Sequence, residues 1–141
     1  MAEPAPPVVS PAAPAAPRSR RVRLYLLLAA VILVPTLLFA AYVAVATHWS
    51  YSDGERAGYV QKFSRKGWVC KTWEGELAMA TLPGTIPQVF AFTVRDDAVA
   101  QQVKQTMGQR VSIAYAEHRG VPTSCFGETQ YYVTGVRPVG P

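Results

Sequence analysis

The chain has 141 residues, room for one domain and little more. Its net charge of +5 is unevenly spread: residues 1–23 hold Arg18, Arg20, Arg21 and Arg23, residues 24–47 hold no charged side chain, and from residue 48 onward ten Lys/Arg face only eight Asp/Glu. So small a surplus argues against a nucleic-acid-binding domain, which needs a concentrated basic face, and it assigns the pI near 9.5 mainly to the arginine cluster.

The first residues read MAEPAPPVVSPAAPAAPRSR, a low-complexity Pro/Ala run. Such a segment buries too little apolar surface to offset its ordering entropy, so residues 1–23 are expected to be a disordered or polyproline-like tail. Pro4, Pro7, Pro11, Pro14 and Pro17 suit a spacer, with a PxxP-type ligand as the other reading.

Residues Leu24–Thr47, LYLLLAAVILVPTLLFAAYVAVAT, predict a transmembrane helix. At 1.5 Å per residue that stretch spans about 36 Å, against a hydrocarbon thickness of ~30 Å. A helix satisfies its own backbone polar groups, so it can cross lipid, and Pro35 predicts at most a kink. Tyr25 at one edge and Trp49 and Tyr51 at the other suit interfacial aromatic belts. A cleaved leader is the alternative, since Ala44-Val45-Ala46 looks like a small-residue cleavage site. The apolar run is, however, far longer than the ~7–15 residues of a signal h-region. The arginines before the span put residues 1–23 in the cytoplasm and residues 48–141 outside it, by the positive-inside rule. In a bacterium that means an inner-membrane anchor and a periplasmic domain.

The domain, expected over residues 48–141 with its core in 55–137, begins with a strand over Arg56–Lys66, where Gly58 suggests a bulge or bend and Ser64–Gly67 a turn. Lys71–Ala80 alternates, with Trp73, Gly75, Leu77 and Met79 on one face and Thr72, Glu74 and Glu76 on the other, the two glutamates being read as exposed. A Pro/Gly loop from Leu82 to Pro87 leads to a third strand, Val89–Arg95. A helix follows, with Asp96 or Asp97 as N-cap, Gly108 as terminator and Val99, Val103 and Met107 as its apolar stripe. Arg110–Glu117 and Tyr131–Arg137 complete five strands around the loop His118–Thr129. The fold class is mainly β with one helix: a β-β-β-α-β-β order matching an OB-fold-like five-stranded barrel. An SH3-like barrel and an open sheet with one helix are the alternatives.

In an OB barrel the loop joining strands one and two and the loop joining strands four and five flank one face. Cys70 ends the first loop and Cys125 lies in the second, and the expected compartment is oxidising, so a Cys70–Cys125 disulfide is predicted. Around these loops Trp68, Phe126, Lys66, Arg119 and Tyr131 are the candidate ligand- or partner-binding residues, with Trp73, Tyr132 and Lys71 nearby. Trp73 and one of the two tyrosines are expected in the core. There is no GxGxxG, P-loop, GxSxG or HExxH. His48 and His118 lack metal-ligand spacing with the cysteines, so no cofactor, no metal and no catalytic set is expected.

The runs YSDGERAGYVQKFSRKGWVCKTWEGELAM, FTVRDDAVA and GVPTSCFGETQYYVTGVR resemble a family of small bacterial membrane-anchored proteins of unknown function. Members are sometimes labelled 6-phosphogluconate dehydrogenase, a label for which this chain has neither the length nor the cofactor fingerprint. An anchor followed by an OB domain also resembles the haem chaperone of cytochrome c maturation. That family attaches haem through a histidine in an HxxxY setting, but here Ser52 follows His48 and Pro122 follows His118 at that spacing. The expected function is a non-enzymatic binding or assembly module of the bacterial envelope. Its expected partners are the membrane and a protein, with a glycan as a second ligand class and no nucleic acid. Periplasmic haem or metal chaperoning, or redox carriage, is the alternative.

Overall fold

The computed structural model describes residues 20–79 and 84–140. Residues 1–19 of the expected disordered tail, Ala80 of the expected second strand, and Leu82 and Pro83 of the expected loop lie outside the described residues. The chain divides into two compact units at Leu37/Leu38.

Helix α1 runs Arg20–His48. It is apolar around its whole circumference, and only Thr47 within it is buried. By length and composition it is able to cross a bilayer. It starts four residues before the apolar stretch, through the arginines, which are good helix formers. Pro35 lies within it, and the next residue, Thr36, donates its hydroxyl to the Ile32 carbonyl at 2.7 Å.

The second unit carries one five-stranded sheet: β1 (Ser52–Lys66), β2 (Thr72–Met79), β3 (Val89–Val94), β4 (Arg110–Glu117) and β5 (Tyr131–Pro138). Its hydrogen-bonded order is β1-β2-β3-β5-β4, and it closes because the long β1 serves two partners. Ser52–Tyr59 pairs with β4, and Gly58–Lys66 pairs with β2. The sequence pattern starts this strand at Arg56, since Ser-Asp-Gly-Glu is poor strand material. The ladder to Ala114–Glu117 overrides that local preference. Gly58 is not the bulge: the register shift falls between Val60 and Lys62. Gly58 sits where both ladders overlap, and a Cβ there would lie 2.2 Å from the Ala78 carbonyl oxygen, so glycine permits a close backbone approach. Ser64–Lys66 finishes β1 instead of turning, and the reversal comes at Gly67, whose φ of 125° lies in the left-handed region.

Between β3 and β4 lies α2 (Asp97–Gln105). Asp96 is its N-cap and accepts from the Ala98 and Val99 amides at 2.7 and 3.4 Å. Val99, Ala100 and Val103 are buried, but Met107 is exposed, because the helix has ended at Gln105 and Gly108 turns the chain away. These side chains join Leu77, Phe90, Phe92, Val94, Val111 and Ile113 in one core. β3 and β5 meet through a single parallel pair, Thr93 with Tyr132, and α2 packs beside that narrow seam.

Candidate binding face at the disulfide

The β1–β2 hairpin and the β4–β5 loop are joined covalently. Cys70 and Cys125, 55 positions apart, form a disulfide with Cα atoms 4.9 Å apart. A single 3₁₀ turn, Ser124–Phe126, not evident from the sequence, holds Cys125 against the hairpin.

Beneath this bond lies a buried carboxylate. Glu74 is 5% exposed, and its oxygens accept from the Thr72 hydroxyl (2.7 Å), the Thr93 hydroxyl (2.7 Å) and the Glu128 amide (3.1 Å). Thr93, fully buried, gives its one hydrogen to Glu74 and accepts from the Thr129 amide at 3.2 Å. The reading of Glu74 as an exposed acid is therefore corrected. Alternation places it on the outward face of β2, but the β4–β5 loop covers that face. Glu76, two residues on, stays partly exposed and pairs with Lys62 at 3.0 Å. The two glutamates are thus engaged separately, one inside a loop anchor and one in a surface ion pair.

The hairpin tip projects from this rigid base, with Trp68 and Val69 exposed by 103% and 95%. A cavity of about 350 Å³ on one side of the disulfide is lined by Lys66, Trp68, Cys70, Thr72, Cys125 and Glu128, and the Lys66 ammonium lies 3.4 Å from Glu128. A second, of about 340 Å³, is lined by Arg65, Lys71, Trp73, Arg95, Phe126 and again Cys125. Trp73 is no platform there. Phe63 stacks on it at 5.3 Å, the Lys104 ammonium sits 4.0 Å from its ring centre, and its indole N–H donates to Asp97 at 3.0 Å. The Arg95 guanidinium lies 5.5 Å from the Phe126 ring centre and 5.4 Å from that of Tyr132. Among the described residues Arg65, Lys71 and Arg95 enter no ion pair.

Of the sequence-predicted binding residues, Lys66, Trp68 and Phe126 flank the disulfide, while Arg119 and Tyr131 do not join them. Arg119 donates to Glu117 at 2.8 Å and lies 3.8 Å over the Tyr51 ring. The hydrogen bond to Glu117 holds its guanidinium pKa above the ordinary value. Tyr131 packs against Phe90 and Tyr115, at 4.9 and 5.5 Å, on the edge of the core. Tyr132 is buried, and among the described residues its hydroxyl has no hydrogen-bond partner. Burial pushes this phenol's pKa up, partly opposed by Arg95. His118 is buried with its ring 4.9 Å from that of Tyr132.

These features define a small closed-sheet β domain with a covalently pinned, aromatic-tipped loop pair, preceded by a helix long enough to cross a membrane. The chain belongs to the family of a domain of unknown function, DUF8785, which matches residues 49–140 and so begins one residue after α1 ends. No curated protein matches the chain.

Proposed function

We propose that the protein is a membrane-anchored, non-enzymatic binding module whose β1–β2 tip engages a protein partner. The observation that carries this reading is the Trp68–Val69 tip, fully exposed yet pinned at its base by the Cys70–Cys125 bond. A bare tryptophan in aqueous solvent is costly, and one on a fixed loop loses little entropy when it is covered. Lys66 on one side and Lys71, Arg65 and Arg95 on the other supply charge for orientation.

The strand order β1-β2-β3-β5-β4, with a helix between the third and fourth strands, supports an OB-type barrel. In that fold the two disulfide-linked loops frame the ligand face. The α1 helix is the anchor, and its arginines favour a cytoplasmic N-terminus. The domain is then periplasmic, at the inner membrane of a bacterium, where a disulfide persists. Nucleic acid is no ligand in that compartment. An envelope glycan would use the free face of Trp68, and haem or metal chaperoning would show as cofactor retained on purification.

The test is photo-crosslinking in intact membranes, with the reactive residue placed at Trp68 and, as control, at Tyr59, which is exposed on β1. A discrete protein adduct from position 68 and none from position 59 is expected. Adducts sensitive to glycosidase, or none above the control, would overturn the protein-partner reading.

A further inference from the structure

The C-terminal turns of α1 are built into the domain. The Tyr42 hydroxyl donates to the Gly120 carbonyl at 2.6 Å, across 78 positions of sequence. The imidazole Nδ1 of His118 lies 3.3 Å from the Ala46 carbonyl. Thr47 is buried and returns its hydroxyl to Val43 at 2.8 Å. Only Trp49–Tyr51 separates α1 from β1, and the Tyr51 amide donates to the Glu117 carbonyl at 2.7 Å. Consistently, the second compact unit begins at Leu38, ten residues before the helix ends at His48.

These contacts conflict with a hydrocarbon span that reaches Thr47. The segment Arg119–Val121 is irregular backbone, and Gly120 is exposed. Irregular backbone facing lipid tails is not tolerated, because its amides and carbonyls would go unsatisfied. Whatever touches Tyr42 from that loop must lie at or above the headgroup level. The apolar stretch left to cross the bilayer is then Leu24–Ala41, which at 1.5 Å per residue is about 27 Å, close to the ~30 Å hydrocarbon thickness.

Accepting α1 as an anchor, on which this inference rests, we infer that residues 42–51 and the loop His118–Pro122 form a collar that binds phospholipid headgroups. Tyr42, Trp49 and Tyr51 are exposed amphipathic aromatics grouped in one short segment, the residues that partition to the lipid interface. An apolar hollow lined by Ala44, Val45, His48 and Trp49 opens beside them. Arg119, steadied by Glu117 and by the Tyr51 ring, presents a guanidinium suited to a headgroup phosphate. The interface thus falls at Tyr42, and the β4–β5 loop itself rests on the lipid.

The test uses the full chain in phosphatidylcholine/phosphatidylglycerol vesicles whose lipids are brominated either near the headgroup or deep in the tails. In a Trp49→Phe background, which still holds Trp68 and Trp73, Pro122→Trp adds a fluorophore in the loop, and its quenching is read as the difference from that background. Shallow-brominated lipid is expected to quench it at least twofold more than deep-brominated lipid, and Tyr42→Phe is expected to halve that quenching while the protein still floats with the vesicles. Flotation with no added quenching from Pro122→Trp overturns the collar and leaves the anchor standing. Extraction of the wild-type chain from vesicles by carbonate overturns the anchor as well.

Discussion

The β4–β5 loop is held in two different ways along its length. Its first part, His118–Val121, is tied to residues 42–51 by single polar contacts: a phenol on a carbonyl, an imidazole beside a carbonyl, an arginine over a ring. Its second part, Ser124–Thr129, is held by a covalent bond and by a buried carboxylate with three donors. The strong fixation coincides with the exposed Trp68 tip. The weak fixation coincides with the aromatic segment that follows the apolar stretch. A surface that must present one rigid shape gains from covalent pinning. A surface resting on lipid, where headgroups are mobile, does not require it.

The comparison breaks first if the covalent pin is dispensable. Replacing Cys70 and Cys125 together by Ser is expected to cost about 4 kcal/mol, the chain-entropy value for a loop of 55 positions. Thermal unfolding of the variant, and of the wild type with and without reductant, measures it. A loss under ~1 kcal/mol would mean that the Glu74 network pins the loop alone. Next in size is Glu74→Ala, expected to cost roughly 3 kcal/mol by urea unfolding, because it strands the buried Thr93 hydroxyl and the Glu128 amide. Glu74→Gln keeps one acceptor oxygen and is expected to lose about half as much. An equal loss from both substitutions would show that the charge, not the acceptor geometry, holds the loop. On the weakly held side, Tyr42→Phe is expected to cost only about 1 kcal/mol or less, since it removes one exposed, neutral hydrogen bond. A larger cost would erase the contrast between the two parts of the loop.

The same contrast explains what was legible beforehand. Alternation and end signals are local, so the long apolar helix, the five strands and a cap at Asp96 or Asp97 could be read from neighbours in sequence, whereas the pairing of Cys70 with Cys125 followed only from the expected barrel and its oxidising compartment. Alternation also assigned Glu74 to the correct face of β2. It had no means of showing that this face would be roofed by a loop some 54 positions away. The separation of Arg119 and Tyr131 from the residues at the disulfide has the same origin. Both flank the loop that carries Cys125, but the chain path through Gly120 and the 3₁₀ turn sends one to Tyr51 and the other to Phe90. The early start of β1 and its register shift beyond Val60 likewise depend on the ladders to β4 and β2, not on the strand's own residues.

Tyr132 lies where the two parts of the loop meet, with its ring against His118 of the first part and Arg95 held between it and Phe126 of the second. Its hydroxyl is buried and lacks a partner among the described residues, so the fold keeps the phenol neutral at a cost. Tyr132→Phe removes that hydroxyl and is expected to leave stability at pH 7 unchanged or to raise it by up to about 1 kcal/mol. The pH dependence gives the sharper reading. Burial raises the folded pKa above the unfolded value of about 10. Below that unfolded value both states hold the proton and the stability is fully present. As pH rises through the folded value, the unfolded state has already released its proton, so stability falls. Wild type is therefore expected to lose more stability than Tyr132→Phe as pH rises above about 10, with lysine and other tyrosine titrations cancelling in the difference. Parallel pH profiles would show that the phenol reaches solvent in the fold. The junction between the loop's two parts would then be open, and the rigid second part would end short of it.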